Sequence, residues 1–160
     1  MSTPYIDVDT ARKKLEYYCA YQERCHKEVL LKLKELGMQQ QASDHIIAHL
    51  IAENYLNEER FSIAFARGKH RIKHWGKIRI ERELKWREIS AYNIKKALKL
   101  LNEEDYFSNF DTLSSKKWLE IREKDLRKKQ QKWTAYWMRK GFEYNLIYDK
   151  LNELLCDEKK

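Results

Sequence analysis

The chain has 160 residues, of which 36% are charged, and it contains only four glycines and one proline. So few turn residues disfavour a sheet with many hairpins and favour long helices. No apolar run approaches the roughly 18–20 residues that cross a bilayer, and residues 1–10 lack the basic start and apolar core of a signal peptide. We therefore expect a cytoplasmic, all-α protein without a membrane partner.

The net charge of +8 is concentrated in two segments. Residues 67–87 carry nine basic and two acidic side chains, and residues 116–140 carry ten and three, so each segment has a net charge of +7. Residues 1–66, 88–115 and 141–160 each have a net charge of −2. Solvated helix faces also carry runs of charge, but two separate blocks of this size favour a polyanion or an acidic protein as partner.

Apolar spacing predicts three helices in the first third of the chain. The first two span residues 10–25 and 26–36, and Gly37 is expected to end the second in a left-handed conformation. The third helix is expected to begin at Ser43–Asp44, because either side chain can cap a helix N-terminus.

The middle third repeats this pattern. Asn57 is expected to cap a long helix that ends near Trp75, with Glu58 and Glu59 at the positive end of its dipole. The predicted apolar seam of this helix consists of Phe61, Phe65, Gly68, Ile72 and Trp75.

A short helix, Lys77–Trp86, follows, and Ser90 is expected to cap another that runs through Leu101. At about 100° per residue, Arg79, Arg82 and Trp86 lie opposite the apolar pair Ile80 and Leu84. An exposed tryptophan beside arginines is typical of a contact surface.

In the last third, the spacing predicts a long helix over residues 114–130 and a short one over residues 132–140. Gly141 is expected to stop the short helix, and a final helix spans residues 144–155.

The short helices align as a repeat. Apolar residues precede positions 37, 88 and 141 by four and eight residues, and these positions are 51 and 53 residues apart. The pattern predicts an elongated array of three tandem three-helix repeats, residues 11–55, 56–104 and 105–155, with tails at 1–10 and 156–160. The second repeat has Glu88 in place of glycine, so its turn is expected to end differently.

No catalytic constellation is present, so we expect no enzymatic activity and no cofactor. Three cysteines without a C-x-x-C pair argue against a disulfide framework or a thiolate zinc site. His70 and His74 share a helix face, but the surrounding lysines and arginines disfavour a metal ion there. The acidic run Glu103–Asp105 is interpreted as a partner of a helix dipole.

Binding to a nucleic acid has a physical basis, because lysine and arginine neutralise phosphates while aromatic side chains stack on unpaired bases. Trp75 and Trp133 are candidates for stacking, although helix-spaced tryptophans more often face the core. The predicted interface draws on both +7 segments and comprises Arg67, Lys69, Arg71, Lys73, Lys77, Arg79, Arg82, Lys85, Trp86, Arg87, Lys124, Arg127, Lys128, Lys132, Arg139 and Lys140.

Three phrases of the sequence resemble the RecX regulatory proteins of bacteria. They are Lys34–Gly37, the leucine–acidic–arginine–phenylalanine junction within Tyr55–Phe65, and the run Gly76–Leu84. The resemblance covers about residues 11–155. It implies three tandem three-helix units and a non-enzymatic regulator of the RecA recombinase.

The same resemblance implies that the protein lies in the groove of the RecA filament on single-stranded DNA. There it is expected to restrain ATP hydrolysis, strand exchange and co-protease activity in the SOS response. We expect a monomer that binds duplex DNA more weakly. One alternative is a helix-turn-helix regulator that places Lys77–Arg87 in a major groove, and another is a scaffold that binds an acidic protein.

Overall fold

The computed structural model describes residues 5–160, and within them it contains nine α-helices and no β-strand. None of the helices in these residues is long and apolar enough to span a bilayer. Residues 1–4 of the predicted N-terminal tail lie outside this range. The helices are α1 (Val8–Tyr21), α2 (His26–Glu35), α3 (Gln40–Ala52), α4 (Glu58–Lys73), α5 (Lys77–Trp86), α6 (Ala91–Lys99), α7 (Glu103–Glu120), α8 (Leu126–Lys140) and α9 (Tyr144–Glu158). The prediction of an all-α helical repeat fold is confirmed.

Two predicted helix caps form as expected in the middle of the chain. The Asn57 side chain accepts a hydrogen bond from the Arg60 backbone N–H at 2.9 Å, and the Ser90 hydroxyl accepts one from Asn93 at 3.2 Å. These bonds satisfy N–H groups that a helix start leaves without a partner. The bounds of α5 also match the prediction.

The predicted start of the third helix is wrong. α3 begins at Gln40, three residues before Ser43, and Ser43 is buried inside the helix. Asp44 does not cap the helix either, because its carboxylate accepts a hydrogen bond from the Gln40 side chain at 2.7 Å. The N-cap position is Gln39, whose side chain makes no capping hydrogen bond, so α3 begins without the predicted cap.

The prediction for residues 114–140 is also wrong. α7 begins at Glu103, where the Asn102 side chain accepts from Asp105 N at 3.0 Å, and the acidic first turn suits the helix dipole. The chain leaves the helix after Glu120 and starts α8 at Leu126. This break falls inside the single helix that the apolar spacing predicted over residues 114–130. The Asp125 carboxylate caps the new helix α8 by accepting a hydrogen bond from the Arg127 backbone N–H at 2.9 Å.

Three turns of the chain share one backbone geometry. Gly37, Glu88 and Gly141 all have left-handed φ values, of 79°, 61° and 87°. In each turn the following backbone N–H reaches back five residues to a carbonyl, which is the hydrogen bond of a Schellman motif. These bonds are Met38 N to Leu33 O at 3.0 Å, Ile89 N to Leu84 O at 3.1 Å and Phe142 N to Trp137 O at 3.4 Å. The expectation that the second turn ends differently is therefore wrong, because Glu88 adopts the conformation of the missing glycine.

A glutamate in this conformation is strained, so we expect Glu88→Gly to stabilise the protein by about 0.5–1 kcal/mol. Glu88 is exposed, so little side-chain packing is lost in the exchange. Urea unfolding would measure the gain. Glu88→Ala, which removes the side chain but keeps the strain, should leave the stability unchanged, and an equal gain in both variants would contradict this explanation.

The chain divides into two compact units. In the first, Met1–Phe65 with Leu84–Ile94, helices α1, α2 and α3 pack against one another around a mainly aliphatic core that includes Leu15, Leu33 and Leu50. In the second, Ala66–Glu83 with Lys95–Lys160, helices α7, α8 and α9 do the same around an aromatic core. That core includes Tyr106, Phe110, Trp118, Trp133, Trp137 and Phe142.

The buried side of α4 differs from the predicted seam. Phe61 is buried as expected, but Ile72 is 65% exposed. The buried positions along the rest of the helix are Ser62, Ala66 and His70. The apolar period missed this side because two of its residues are polar and each has a hydrogen-bond partner: the Ser62 hydroxyl donates to Glu58 O at 2.7 Å, and His70 bonds a carbonyl.

Candidate nucleic-acid interface

The turn between α4 and α5 lies against the end of α8 in the second unit. The Gly76 backbone N–H donates to Lys140 O at 2.7 Å, and the Ile78 N–H donates to Gly141 O at 2.9 Å. A Cβ atom built at Gly76 would come within 2.5 Å of the Gly141 carbonyl carbon. Such a close backbone approach is possible only with glycine, and it joins parts of the two +7 segments.

This contact assembles four basic side chains, Lys73, Arg79, Lys117 and Lys140, which we call the basic cluster. The Lys140 ammonium donates to Lys73 O at 2.9 Å, and the Arg79 guanidinium donates to Arg139 O at 3.1 Å. Burial and then the positive charges of Arg79, Lys73 and Lys117 lower the pKa of Lys140. The basic cluster is thus a place where cations repel one another and an anion would be attracted.

A cavity of about 190 Å³ lies beside the basic cluster, and its lining includes His74, Lys117 and Tyr136. The Tyr136 ring is shared by two ammonium groups, with Lys117 Nζ at 4.2 Å and Lys140 Nζ at 5.6 Å from its centroid. The lining of the cavity therefore offers an aromatic ring, an imidazole, the cations of Lys116 and Lys117 and the carboxylate of Glu120 to a ligand.

Burial and the charge of Lys140 lower the pKa of His74 from its ordinary value of 6.5. Because the folded pKa lies below the unfolded one, protonation of His74 destabilises the folded protein as the pH falls through about 6.5. An anion in the cavity would offset the repulsion, so we expect inorganic phosphate to raise the pKa of His74 in an NMR titration. Lys140→Gln should raise it without phosphate, while the signals of the exposed His45 should not respond to the anion. No shift at His74 in either case would contradict an anion site here.

Several predicted interface residues already have partners within the protein. The charged groups of Lys69 and Arg79 lie 5.1 and 4.2 Å from the Trp75 ring centroid. Lys77 lies over Tyr106 in the same way at 4.7 Å. Arg87 lies 4.6 Å from the Phe65 ring, and Lys132 pairs with Glu123 at 2.9 Å. These cations hold the fold together as well as contributing to the surface potential.

The other predicted basic residues are exposed. Arg67 and Arg71 stand one turn apart on α4, and Arg82 lies on α5. Their side chains make no ion pair or hydrogen bond with the part of the chain that the structure describes, and the same holds for Lys124, Arg127 and Lys128. Lys85 is exposed too, but it has an intramolecular partner. The exposed arginines are the side chains best able to reach phosphates outside the protein.

The three tryptophan candidates for stacking differ in exposure. Trp133 is fully buried and its indole N–H donates to Ser114 O at 2.9 Å, so its assignment as a stacking residue is wrong and the core interpretation is right. Trp75 is half-buried beneath Lys69 and Arg79. Trp86 is 63% exposed, with Lys27 Nζ at 3.9 Å from its ring centroid.

The two histidines do not form a joint site. His70 is buried, where its Nδ1 lies 3.0 Å from Trp75 O and its Nε2 lies 3.2 Å from the Asn109 amide. Among residues 5–160 no group of three histidine, cysteine or acidic side chains could hold a metal ion. Both ring nitrogens of His70 are thus committed to protein partners.

Tyr136 is a residue that the sequence interpretation missed. It lies between Lys132 and Lys140 at steps of four residues on α8, which places all three on one helix face. A search for aromatic residues flanked by cations at helical spacing would have found it.

Comparison with known proteins places the chain in a family. Its residues 57–98 match the model of the second three-helix domain of RecX, and residues 103–151 match the model of the third. The Regulatory protein RecX of Lactobacillus gasseri is 33% identical over 89 residues, which are 56% of this chain and 33% of that protein. The one from Streptococcus uberis is 30% identical over 132 residues, which are 82% of this chain and 50% of that protein.

The chain therefore spans half or less of the length of these curated relatives. A crystal structure of RecX from Lactobacillus salivarius is similar with a TM-score of 0.77 at 25% identity, covering 92% of this chain and 96% of that one. Together the two domain models match more than half of the chain. The chain belongs to the RecX family.

Proposed function

We propose that the protein binds the RecA filament on single-stranded DNA and restrains its ATP hydrolysis, strand exchange and co-protease activity in DNA repair and the SOS response. Its relatives are named regulatory proteins, which supports a regulatory role. The observation that carries the proposal is the joining of two +7 segments at the basic cluster. A filament of protein on DNA presents the phosphates that such a cluster attracts.

In this proposal the protein is a cytoplasmic monomer without a cofactor, and it acts by binding rather than by catalysis. Exposed arginines such as Arg67, Arg71 and Arg82 would meet phosphates or acidic groups of the filament and release counterions. The partly desolvated Lys140 of the basic cluster would gain most from an anionic partner, because the repulsion from its cationic neighbours is already present in the free protein.

The helix-turn-helix alternative relies on α5 as a recognition helix in a major groove. Lys77 and Arg79 lie over aromatic rings of the second unit, so neither side chain is free to read bases without losing that contact. Tight, sequence-selective duplex binding by the protein alone would favour this alternative. Absence of any affinity for DNA at low salt would instead favour a scaffold for an acidic protein.

Charge reversal of the exposed arginines tests the proposal. We expect Arg67→Glu/Arg71→Glu/Arg82→Glu to raise the protein concentration for half-inhibition of RecA's ATP hydrolysis on single-stranded DNA on the order of tenfold to a hundredfold, because three cations near phosphates become anions. Arg79 is kept, since its guanidinium bonds Arg139 O and its loss would disturb the fold.

The matched control is Lys34→Glu/Lys95→Glu/Lys99→Glu, which makes the same change of charge at exposed positions outside both +7 segments. It should inhibit almost like the unaltered protein, and circular dichroism should show equal helix content in all three proteins. Full inhibition by the arginine variant, or an equal defect in the lysine variant, would contradict a specific role for the arginines.

A further inference from the structure

The first unit carries an aromatic and basic surface that the charge distribution of the sequence conceals, since residues 1–66 have a net charge of −2. Tyr17 and Tyr21 stand one turn apart on α1, each 73% exposed, with ring centroids 6.5 Å apart. Large exposed aromatic side chains in pairs are costly to hydrate and typically mark a contact site.

A cavity of about 590 Å³ opens beside these rings between α1 and α2. Its floor includes Tyr18, whose ring has the Arg24 guanidinium carbon at 3.7 Å and Lys32 Nζ at 5.8 Å from its centroid. The volume falls in the range of roughly 300–1,000 Å³ that is typical of pockets for drug-sized ligands. The tyrosines and the cavity together form what we call the tyrosine groove.

Charge complementarity indicates what the tyrosine groove binds. Four of its lining side chains, Lys13, Lys14, Arg24 and Lys32, are basic and no acidic side chain among the described residues lines it. Arg24 and Lys32 pair with glutamates outside the lining, at 3.8 and 3.7 Å. Lys13 and Lys14 are exposed and make no ion pair with described residues, so a ligand with negative charge beside a flat apolar face would satisfy them.

We infer that the tyrosine groove binds single-stranded nucleic acid, with bases against Tyr17 and Tyr21 and phosphates near Lys13 and Lys14. Base–aromatic stacking tolerates any sequence, and lysines beside it follow the backbone. The tyrosine groove would thus be a binding site for the single-stranded DNA of the proposed function, and its biological role rests on that proposal. The binding itself is a property of the protein alone.

The experiment measures the anisotropy of a fluorescent oligothymidylate at fixed low salt, without RecA. We expect Tyr17→Ala/Tyr21→Ala to weaken binding on the order of tenfold or more, because two stacking faces are lost. Tyr17→Phe/Tyr21→Phe keeps the rings and should bind within about twofold of the unaltered protein. Tyr92→Ala removes a tyrosine that is 69% exposed elsewhere in the same unit and should bind normally.

The salt dependence supplies a second readout. Lys13→Gln/Lys14→Gln should flatten the plot of log affinity against log salt by about 0.7 for each lost phosphate contact. Unchanged affinity in the alanine pair, or an equal loss in Tyr92→Ala, would overturn the inference. So would an alanine pair that binds the oligonucleotide normally but no longer inhibits RecA, since the groove would then hold a segment of protein.

The two proposals fail separately. Oligothymidylate binding that depends on Tyr17 and Tyr21, in a protein without effect on RecA, would retain the tyrosine groove and reject the regulatory proposal. If the unaltered protein inhibits RecA but Tyr17→Ala/Tyr21→Ala binds oligothymidylate normally, the regulatory proposal is retained and the tyrosine groove is rejected.

Discussion

Gly141→Ala is expected to destabilise the protein by about 3 kcal/mol or more, since it combines backbone strain with steric overlap. Gly141 has a φ of 87°, a conformation that L side chains rarely adopt. A Cβ atom there would also lie 2.5 Å from the backbone nitrogen of Arg79. The α8 turn would have to move away from α5, and the basic cluster would lose the backbone contact that assembles it.

The other glycines provide a graded set of controls. Gly76→Ala meets the same backbone from the opposite side and should cost about as much. Gly37→Ala has the strain of a φ of 79° but no heavy atom within 4 Å, so it should cost only about 1 kcal/mol. Gly68→Ala, inside α4 and with open space around it, should stabilise the protein by about 0.5–1 kcal/mol.

Urea unfolding of the four variants measures this series. The expected order of stability is Gly68→Ala above the unaltered protein, then Gly37→Ala, then the two variants at the turn contact. Where Gly141→Ala still folds, its phosphate-dependent shift at His74 should be lost. A cost for Gly141→Ala no greater than that for Gly37→Ala would contradict the close approach of the two turns.

Trp133→Ala is the second substitution with a large expected effect, a loss of about 3–5 kcal/mol in the free energy of unfolding. Trp133 is fully buried, packs edge-on against Trp118 with centroids 6.3 Å apart, and donates a hydrogen bond to Ser114 O. Removing the indole would leave a large cavity and a buried carbonyl without its donor.

Trp86→Ala is the matched control, because the same side chain is removed from an exposed position. Its cost should stay below about 1 kcal/mol, which is the worth of its contact with Lys27 at 3.9 Å. Thermal or urea unfolding distinguishes the two variants. Equal stabilities of Trp133→Ala and Trp86→Ala would contradict the assignment of Trp133 to the core and would favour a position on the surface.

Local signals predicted much of the fold. Asparagine and serine caps, left-handed glycines and the period of the short helices identified α5 and the caps that start α4 and α6. Glu88 shows where local rules fail: packing by Ile80 and Leu84, both fully buried, holds a turn that the sequence itself disfavours. Tertiary contacts can override the preference of one residue because they are shared by several.

The last third was predicted less well for a physical reason. Residues 121–125 contain neither glycine nor proline, so nothing in the apolar spacing marks the break between α7 and α8. The signal was the side chain of Asp125, one of several acidic residues near that position that could have been a cap. Which carboxylate acts as the cap depends on how the flanking helices pack.

For the candidate sites, net charge along the chain was an incomplete guide. It pointed to Lys73, Arg79 and Lys140, which the structure brings together through a glycine contact that no charge count reveals. It passed over Tyr17 and Tyr21, because acidic residues elsewhere in the first 66 positions cancel the lysines beside them. Charge matters at the scale of a few ångströms, and a sum over 66 residues averages that away.

The most direct test of the proposed function is ATP hydrolysis by the RecA of the same organism on single-stranded DNA, with this protein titrated in at fixed salt. Action on filaments predicts a progressive fall in hydrolysis at protein amounts well below the amount of RecA, and less inhibition by Arg67→Glu/Arg71→Glu/Arg82→Glu. Unchanged hydrolysis at amounts equal to RecA, together with tight binding to a defined duplex, would contradict it and favour a helix-turn-helix regulator that shares only the family's fold.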